Sequence, residues 1–289
     1  MKPHADDFKV VNPETVEDIV QVLNSEENAL PLAGGTDLYV SLRQDQLDPC
    51  VFINLDACKE LKGEPELNED KLVFDALTTF KDVRYNEEIE QKYPLLTKAS
   101  ELVSTLGIQS RATWAGNVAN ASPCANGTAG LMAYDAELEL AGPSGSRRVR
   151  LDEFYSGYKD LEMEEKEFIH KIHVPRPGPG WSNYYRDVGA RNYQAISKTL
   201  LAGRIRCGED NRVEDVRIIC GSVAPHTIRA NRTEEVLRGK ILAPDLITDA
   251  VETLKGEIAP IDDIRSNSKY RRQVTLNLLK EFLGEQLPV

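Results

Sequence analysis

The sequence predicts an α+β protein built from two domains, and three observations carry that expectation. The chain has 289 residues and 41% hydrophobic composition. That is above the usual single-domain size of about 100 to 200 residues and enough to bury a real core. Pro175, Pro177, Gly178, Pro179 and Gly180 crowd a short stretch and punctuate the chain as an exposed connection. Helical apolar spacing and short strand-like runs occur on both sides of that break. The expected division is residues 1–175, in lobes of about 1–57 and 58–175, followed by residues 181–289.

Along the chain, Val16, Ile19, Val20 and Leu23 recur at helical spacing, and Thr15 with Asp18 makes a capping box, so a first helix covers roughly residues 15–24. Leu30 to Ala33 is an apolar run ending at Gly34-Gly35, and Val51 to Leu55 is a second, so two strands flank a glycine turn. Leu72-Val73-Phe74 reads as a strand, Leu95, Leu96, Ala99, Leu102 and Val103 as a helix, and residues 107–130 as a turn-rich segment. Ala136 to Leu140 and Arg147 to Leu151 bracket Gly142-Pro143-Ser144-Gly145 as a β-hairpin. Beyond the connection come strands over 182–188, 198–206 and 213–222, then helices around 233–237 and 245–254. Val274, Leu278 and Phe282 repeat every four residues and predict a closing amphipathic helix.

Composition removes several classes of function. A net charge of -12 opposes the phosphate neutralisation on which nucleic-acid binding depends. No run approaches the roughly 18 apolar residues of a membrane span, and residues 1–9 lack the apolar core of a signal peptide, so a cytoplasmic protein is expected. Five scattered cysteines, none in C-x-x-C spacing, predict neither a disulfide framework nor an iron–sulfur ligand set. The four histidines show no i, i+4 pairing, and no metal is expected. Neither G-x-G-x-x-G nor G-x-x-x-x-G-K occurs, which disfavours a Rossmann fold and a P-loop triphosphatase.

Two segments have the chemistry to hold a polar ligand. In Leu32-Ala33-Gly34-Gly35-Thr36-Asp37-Leu38, consecutive glycines after a strand permit close backbone approach, and exposed N–H groups can cradle a pyrophosphate. A tight turn with no ligand is the alternative. Thr113-Trp114-Ala115-Gly116-Asn117, followed by Asn120, Ser122, Pro123 and Asn126, combines hydroxyls and amides without charge. Such a strip suits a partly buried polar ligand, or else a self-satisfied structural loop.

Ala33 through Asp37, Ala76-Leu77-Thr78-Thr79, Thr113 through Asn117 with Ser122-Pro123, and Tyr134-Asp135-Ala136 resemble the FAD-binding (medium) subunit of the molybdenum hydroxylases, the xanthine dehydrogenase family. Cys220 through Pro225, Arg229, Ile264-Arg265 and Tyr270-Arg271-Arg272 continue the likeness in the second domain. The resemblance implies a two-lobed FAD-binding domain of vanillyl-alcohol oxidase type and a smaller C-terminal flavoprotein domain. It implies that Pro31, Leu32, Ala33, Gly34, Gly35, Thr36, Asp37 and Leu38 line the pyrophosphate, and that Thr113, Trp114, Ala115, Gly116 and Asn117, with Ser122 and Asn126, line the rest of the FAD. Lys198 matches a family lysine near the flavin. Trp114 and Ala115 depart from the family's small aliphatic residue and glycine, and Asn126 from its common Asp. The implied function is electron transfer from a molybdopterin-binding large subunit, through a 2Fe–2S small subunit and FAD, to NAD or another acceptor, with no catalytic acid, base or nucleophile in this chain. A self-contained FAD-dependent oxidase or dehydrogenase of similar fold and a flavin-free scaffold subunit are the alternatives.

Overall fold

The computed structural model describes residues 7–61, 64–191 and 194–287. The first lobe runs β1 (Lys9–Val11), α1 (Val16–Ser25), β2 (Ala29–Leu32), α2 (Leu38–Arg43) and β3 (Val51–Asn54), with the strands parallel in the order β1-β3-β2. The capping box is present: Thr15 Oγ1 accepts from the Asp18 N–H at 3.1 Å and the Asp18 carboxylate accepts from the Thr15 N–H. Ile19 and Leu23 of α1 are buried with Ile53 and Leu55, and with Ala141 and Phe168 of the second lobe. By contrast, α2 buries no side chain.

The second lobe holds β4 (Glu66–Leu67), β5 (Lys71–Asp75), α3 (Phe80–Arg84), α4 (Glu87–Lys92), α5 (Pro94–Leu102), α6 (Leu106–Gln109), α7 (Trp114–Ala119) and α8 (Asn126–Met132). After these come β6 (Glu137–Gly142), β7 (Gly145–Arg150), the small pair β8 (Tyr155–Gly157) and β9 (Asp160–Leu161), and β10 (Phe168–Pro175). The main sheet has the order β4-β5-β10-β6-β7, and β6 and β7 form the expected hairpin. Residues 107–130, expected to be turn-rich, instead supply all of α7 and most of α6 and α8. Thr105 and Thr113 cap α6 and α7 through their hydroxyls, and every residue of α8 is buried, so no polar face marks it as a helix.

The C-terminal part is an antiparallel sheet of β11 (Trp181–Val188), β12 (Thr199–Cys207), β13 (Val213–Gly221) and β14 (Ile228–Arg229), covered by α9 (Asn231–Leu237), α10 (Pro244–Lys255) and α11 (Ser268–Gly284). Successive strand residues point to opposite faces. Tyr184, Leu201, Ile205 and Ile218 therefore pack with Leu254, Leu279 and Phe282 beneath the helices, while Tyr185, Leu200, Ala202 and Ile219 pack with Leu95, Ala99 and Ala129 of the second lobe. The sheet is thus buried on both faces and joins the two halves of the chain.

Charge reinforces that junction. Asp135 accepts from Arg217 at 2.9 Å and from Arg229 at 2.8 Å, and Arg229 also reaches Asp152 and Glu234. Arg204 lies between the rings of Tyr134 and Trp181, 4.1 and 4.3 Å from their centroids, and donates to the Ala133 carbonyl. Among the described residues, no helix is long and apolar enough to cross a membrane.

Candidate functional site

A cleft of about 920 Å³ draws its lining from both lobes and from the C-terminal domain. Asp37 contributes from the first lobe, Asn117, Asn120 and residues 122–126 from the second, and Ser222, Arg265 and Arg271 from the C-terminal domain. Asp263, which also lines it, forms an ion pair with Arg271 at 2.7 Å.

The glycine turn has the structure its sequence suggests, for two separate reasons. Gly35 has φ +69°, a left-handed conformation that a side chain strains. A β-carbon on Gly34 would stand 1.7 Å from the carbonyl oxygen of Arg111, so this glycine admits the backbone leading into Thr113. The N–H groups of Gly34, Gly35, Thr36 and Asp37 donate to no described residue, and Asp37 leaves α2 without a side-chain cap. Asn120 Nδ2 donates to the Asp37 carboxylate at 3.2 Å, a hydrogen bond that ties the two segments together beside that close approach. Pro31 and Leu32 belong to β2 and, with Ala33 and Leu38, are half-buried beside this turn.

The second segment is built from a cap. Thr113 Oγ1 accepts from the Gly116 N–H at 3.0 Å, and the segment is held against Ala76-Leu77-Thr78-Thr79 by Trp114 N–H to the Thr78 carbonyl and Phe80 N–H to the Ala112 carbonyl, both 3.1 Å. Trp114 has no exposed surface: its ring lies 4.5 Å from Phe80 and 5.3 Å from Phe74, centre to centre, in the core of the lobe. Thr113 and Ala115 are buried as well. Of Thr113 through Asn117, only Asn117 lines the cleft, while its Oδ1 accepts from the Thr128 N–H at 3.2 Å. The large residue at 114 is accommodated by turning it inward.

Ser122 and Asn126 both line the cleft. Asn126 accepts from the Tyr185 hydroxyl at 2.9 Å and donates from Nδ2 to Asp187 at 3.2 Å. Burial pushes the Asp187 carboxyl above its usual range, an effect opposed by hydrogen bonds including the one from Asn126. An aspartate at 126 would face Asp187 as a like charge, which gives the amide at this position a physical reason. Lys198 is not part of the lining; its ammonium lies 5.6 Å from the centre of the Tyr270 ring, one residue beyond cleft-lining Ser197. Sequence reasoning missed the contributions of Leu102 to Ser104, Tyr158-Lys159 and residues 194–197. Arg265 and Arg271 were visible only within motifs of the resemblance.

These residues fit a cofactor with a pyrophosphate: unpaired backbone donors stand beside a partly enclosed cleft of amides, hydroxyls and apolar carbon. Among the described residues no group of His, Cys, Asp and Glu is arranged to hold a metal.

Comparison with known proteins shows the family. Residues 6–177 match the family described as FAD binding domain in molybdopterin dehydrogenase, and residues 184–286 match the CO dehydrogenase flavoprotein C-terminal domain. The chain is similar to the glyceraldehyde dehydrogenase medium chain of Sulfolobus acidocaldarius, 28% identical over 96% of this chain and 98% of that one. It is 24% identical to the xanthine dehydrogenase FAD-binding subunit of Escherichia coli O157:H7, over 94% of this chain and 93% of the relative. Among solved structures, a chain of the carbon monoxide dehydrogenase from Hydrogenophaga pseudoflava superposes with a TM-score of 0.91 at 25% identity, covering 98% of this chain and 97% of that one.

Proposed function

This chain belongs to the family of FAD-binding subunits of molybdopterin dehydrogenases, as part of an oxidoreductase with FAD as cofactor, and from that premise we propose that it is an electron-transfer subunit. In this reading electrons come from a molybdopterin-binding large subunit by way of a 2Fe–2S small subunit, and leave to NAD or another acceptor, in a cytoplasmic complex. Residues 1–175 form the FAD-binding domain, in lobes of about 1–57 and 58–175, and residues 181–289 the C-terminal flavoprotein domain.

The observation that carries the reading is the junction of the two segments, where Gly34 meets the Arg111 carbonyl and Asp37 meets Asn120 beside a run of unpaired N–H groups. FAD, when bound, supplies the redox chemistry, and the protein supplies position and electrostatics. The N–H groups of residues 34–37 bind the pyrophosphate, Asn117, Ser122 and Asn126 orient the remainder through hydrogen bonds, and Trp114 holds the second segment from behind. Lys198, one residue beyond the cleft lining, would supply a positive charge favouring an anionic flavin there. The purified chain should carry flavin in equal proportion to protein; protein folded by circular dichroism that takes up no FAD would refute the assignment.

A further inference from the structure

Behind the cleft wall at Asn126 lies a carboxylate that does not itself line the cleft. Residues two apart in a strand share a face, so Tyr185 and Asp187 of β11 both point at the start of α8, where Asn126 is the first residue. Asn126 is 8% exposed and belongs to the lining. Its Oδ1 accepts from the Tyr185 hydroxyl at 2.9 Å, and its Nδ2 donates to Asp187 Oδ2 at 3.2 Å. That nitrogen carries two hydrogens, and no other described residue takes the second. Burial pushes the Asp187 carboxyl up, while Ser197, also in the lining, and Asn126 steady its charge. Yet neither Asp187 Oδ1 nor Ser197 Oγ completes a hydrogen bond of good geometry with a described residue. Buried polar atoms are ordinarily satisfied within a fold, so a carboxylate held in this corner needs a reason beyond stability.

We propose that Asp187 is a positioning residue of the flavin site: as the acceptor behind Asn126 it fixes which end of that amide is free, and so makes Asn126 a hydrogen-bond donor to the flavin. This rests on the flavin reading above. The Tyr185 hydroxyl can donate or accept and by itself would tolerate either orientation of the amide, whereas a carboxylate only accepts and holds Nδ2 on its own side. With Oδ1 engaged by Tyr185, what Asn126 has left to offer the cleft is one N–H. A flavin ring carries carbonyl oxygens and ring nitrogens that accept such a bond, and a donor fixed beforehand loses little freedom in making it.

The test titrates FAD into the flavin-stripped full chain, with affinity measured by calorimetry and the visible spectrum of the bound flavin recorded. Asp187→Leu keeps the bulk and removes the acceptor, and should weaken FAD binding about tenfold. Asp187→Asn keeps an acceptor oxygen and removes the charge, and should stay within about twofold of the parent. Asn126→Ala should lose about as much as Asp187→Leu, and the double variant no more than Asn126→Ala alone, because Asp187 acts only through that amide. The flavin absorption should shift alike in Asp187→Leu and Asn126→Ala and hold in Asp187→Asn. Parent-like affinity in Asp187→Leu, an equal loss in Asp187→Asn, or losses that multiply in the double variant would each overturn the assignment. Should circular dichroism show Asp187→Leu unfolded, Asp187→Ala replaces it with the same expectations. Failure of the underlying reading is seen separately and earlier, as a parent chain that takes up no flavin.

Discussion

Gly34 has no room for a β-carbon because a backbone carbonyl already fills the space, whereas at Gly35 a β-carbon would press only on the Leu32 side chain, at 3.2 Å, but would sit on a left-handed φ. The sequence points to both glycines, yet it suggests one reason for the pair, close approach to a ligand. Only the structure shows that Gly34 is spent on Arg111, a residue 77 positions away that no local pattern links to it. Gly35→Ala should cost about 1–2 kcal/mol and lower flavin occupancy modestly. Gly34→Ala must displace backbone, so it should cost about 1–3 kcal/mol and strip flavin from protein that still folds. Flavin absorbance against thermal midpoint separates the two; equal occupancy in both variants would remove the junction from the site. At Lys198, replacement by Met keeps the stem and removes the charge, so the flavin midpoint potential should fall while flavin content holds. A potential unchanged in redox titration would leave Lys198 as no more than a partner for Tyr270.

Among the elements, α1 was legible because its apolar stripe and Thr15–Asp18 cap agree, and α11 because Val274, Leu278 and Phe282 recur every four residues, although its buried face also takes Arg271 and Thr275. Of the helices between residues 80 and 132 only α5 was legible, from Leu95, Leu96, Ala99 and Leu102; among the others, α8 is buried all round and α6 spans only four residues. Pairing between strands was equally invisible: β10 brings His173 to the Glu139 carboxylate of neighbouring β6 at 2.7 Å, with His170 at 3.4 Å. Burial pushes both imidazoles below their ordinary value, with Glu139 pulling the other way. A histidine whose folded pKa is depressed takes up its proton more readily when unfolded, so its contribution is intact above the unfolded value of about 6.5 and is lost as pH falls below it. Thermal midpoints should therefore drop between about pH 6.5 and 5, and the drop should flatten in His173→Gln. A variant with the parent slope would exclude this pair as the cause.

At the scale of the whole molecule, the proline-glycine connection is visible in sequence and lies between the end of β10 and the start of β11. What sequence could not show is that the two sides share a core and an ionic junction at Asp135, whose partners lie 82 and 94 residues away. Asp135→Asn should lower stability by about 2 kcal/mol, less than a fully buried pair because Asp135 is 28% exposed. Chemical unfolding gives the value, and an unchanged midpoint would mean that the apolar face of β12 and β13 alone holds the halves together. The cleft between the parts so joined is the proposed place of the flavin, and no acid–base set for a substrate of its own is evident among the described residues lining it. Electrons should then reach the flavin only through partner chains. The most direct measurement is anaerobic bleaching of the bound flavin by purines, N-heterocycles or aldehydes, with the subunit alone and with the proposed molybdopterin and iron–sulfur partners. Bleaching confined to the reconstituted complex is the expected result; rapid bleaching of the isolated subunit would contradict the electron-transfer role and make the chain a dehydrogenase in its own right.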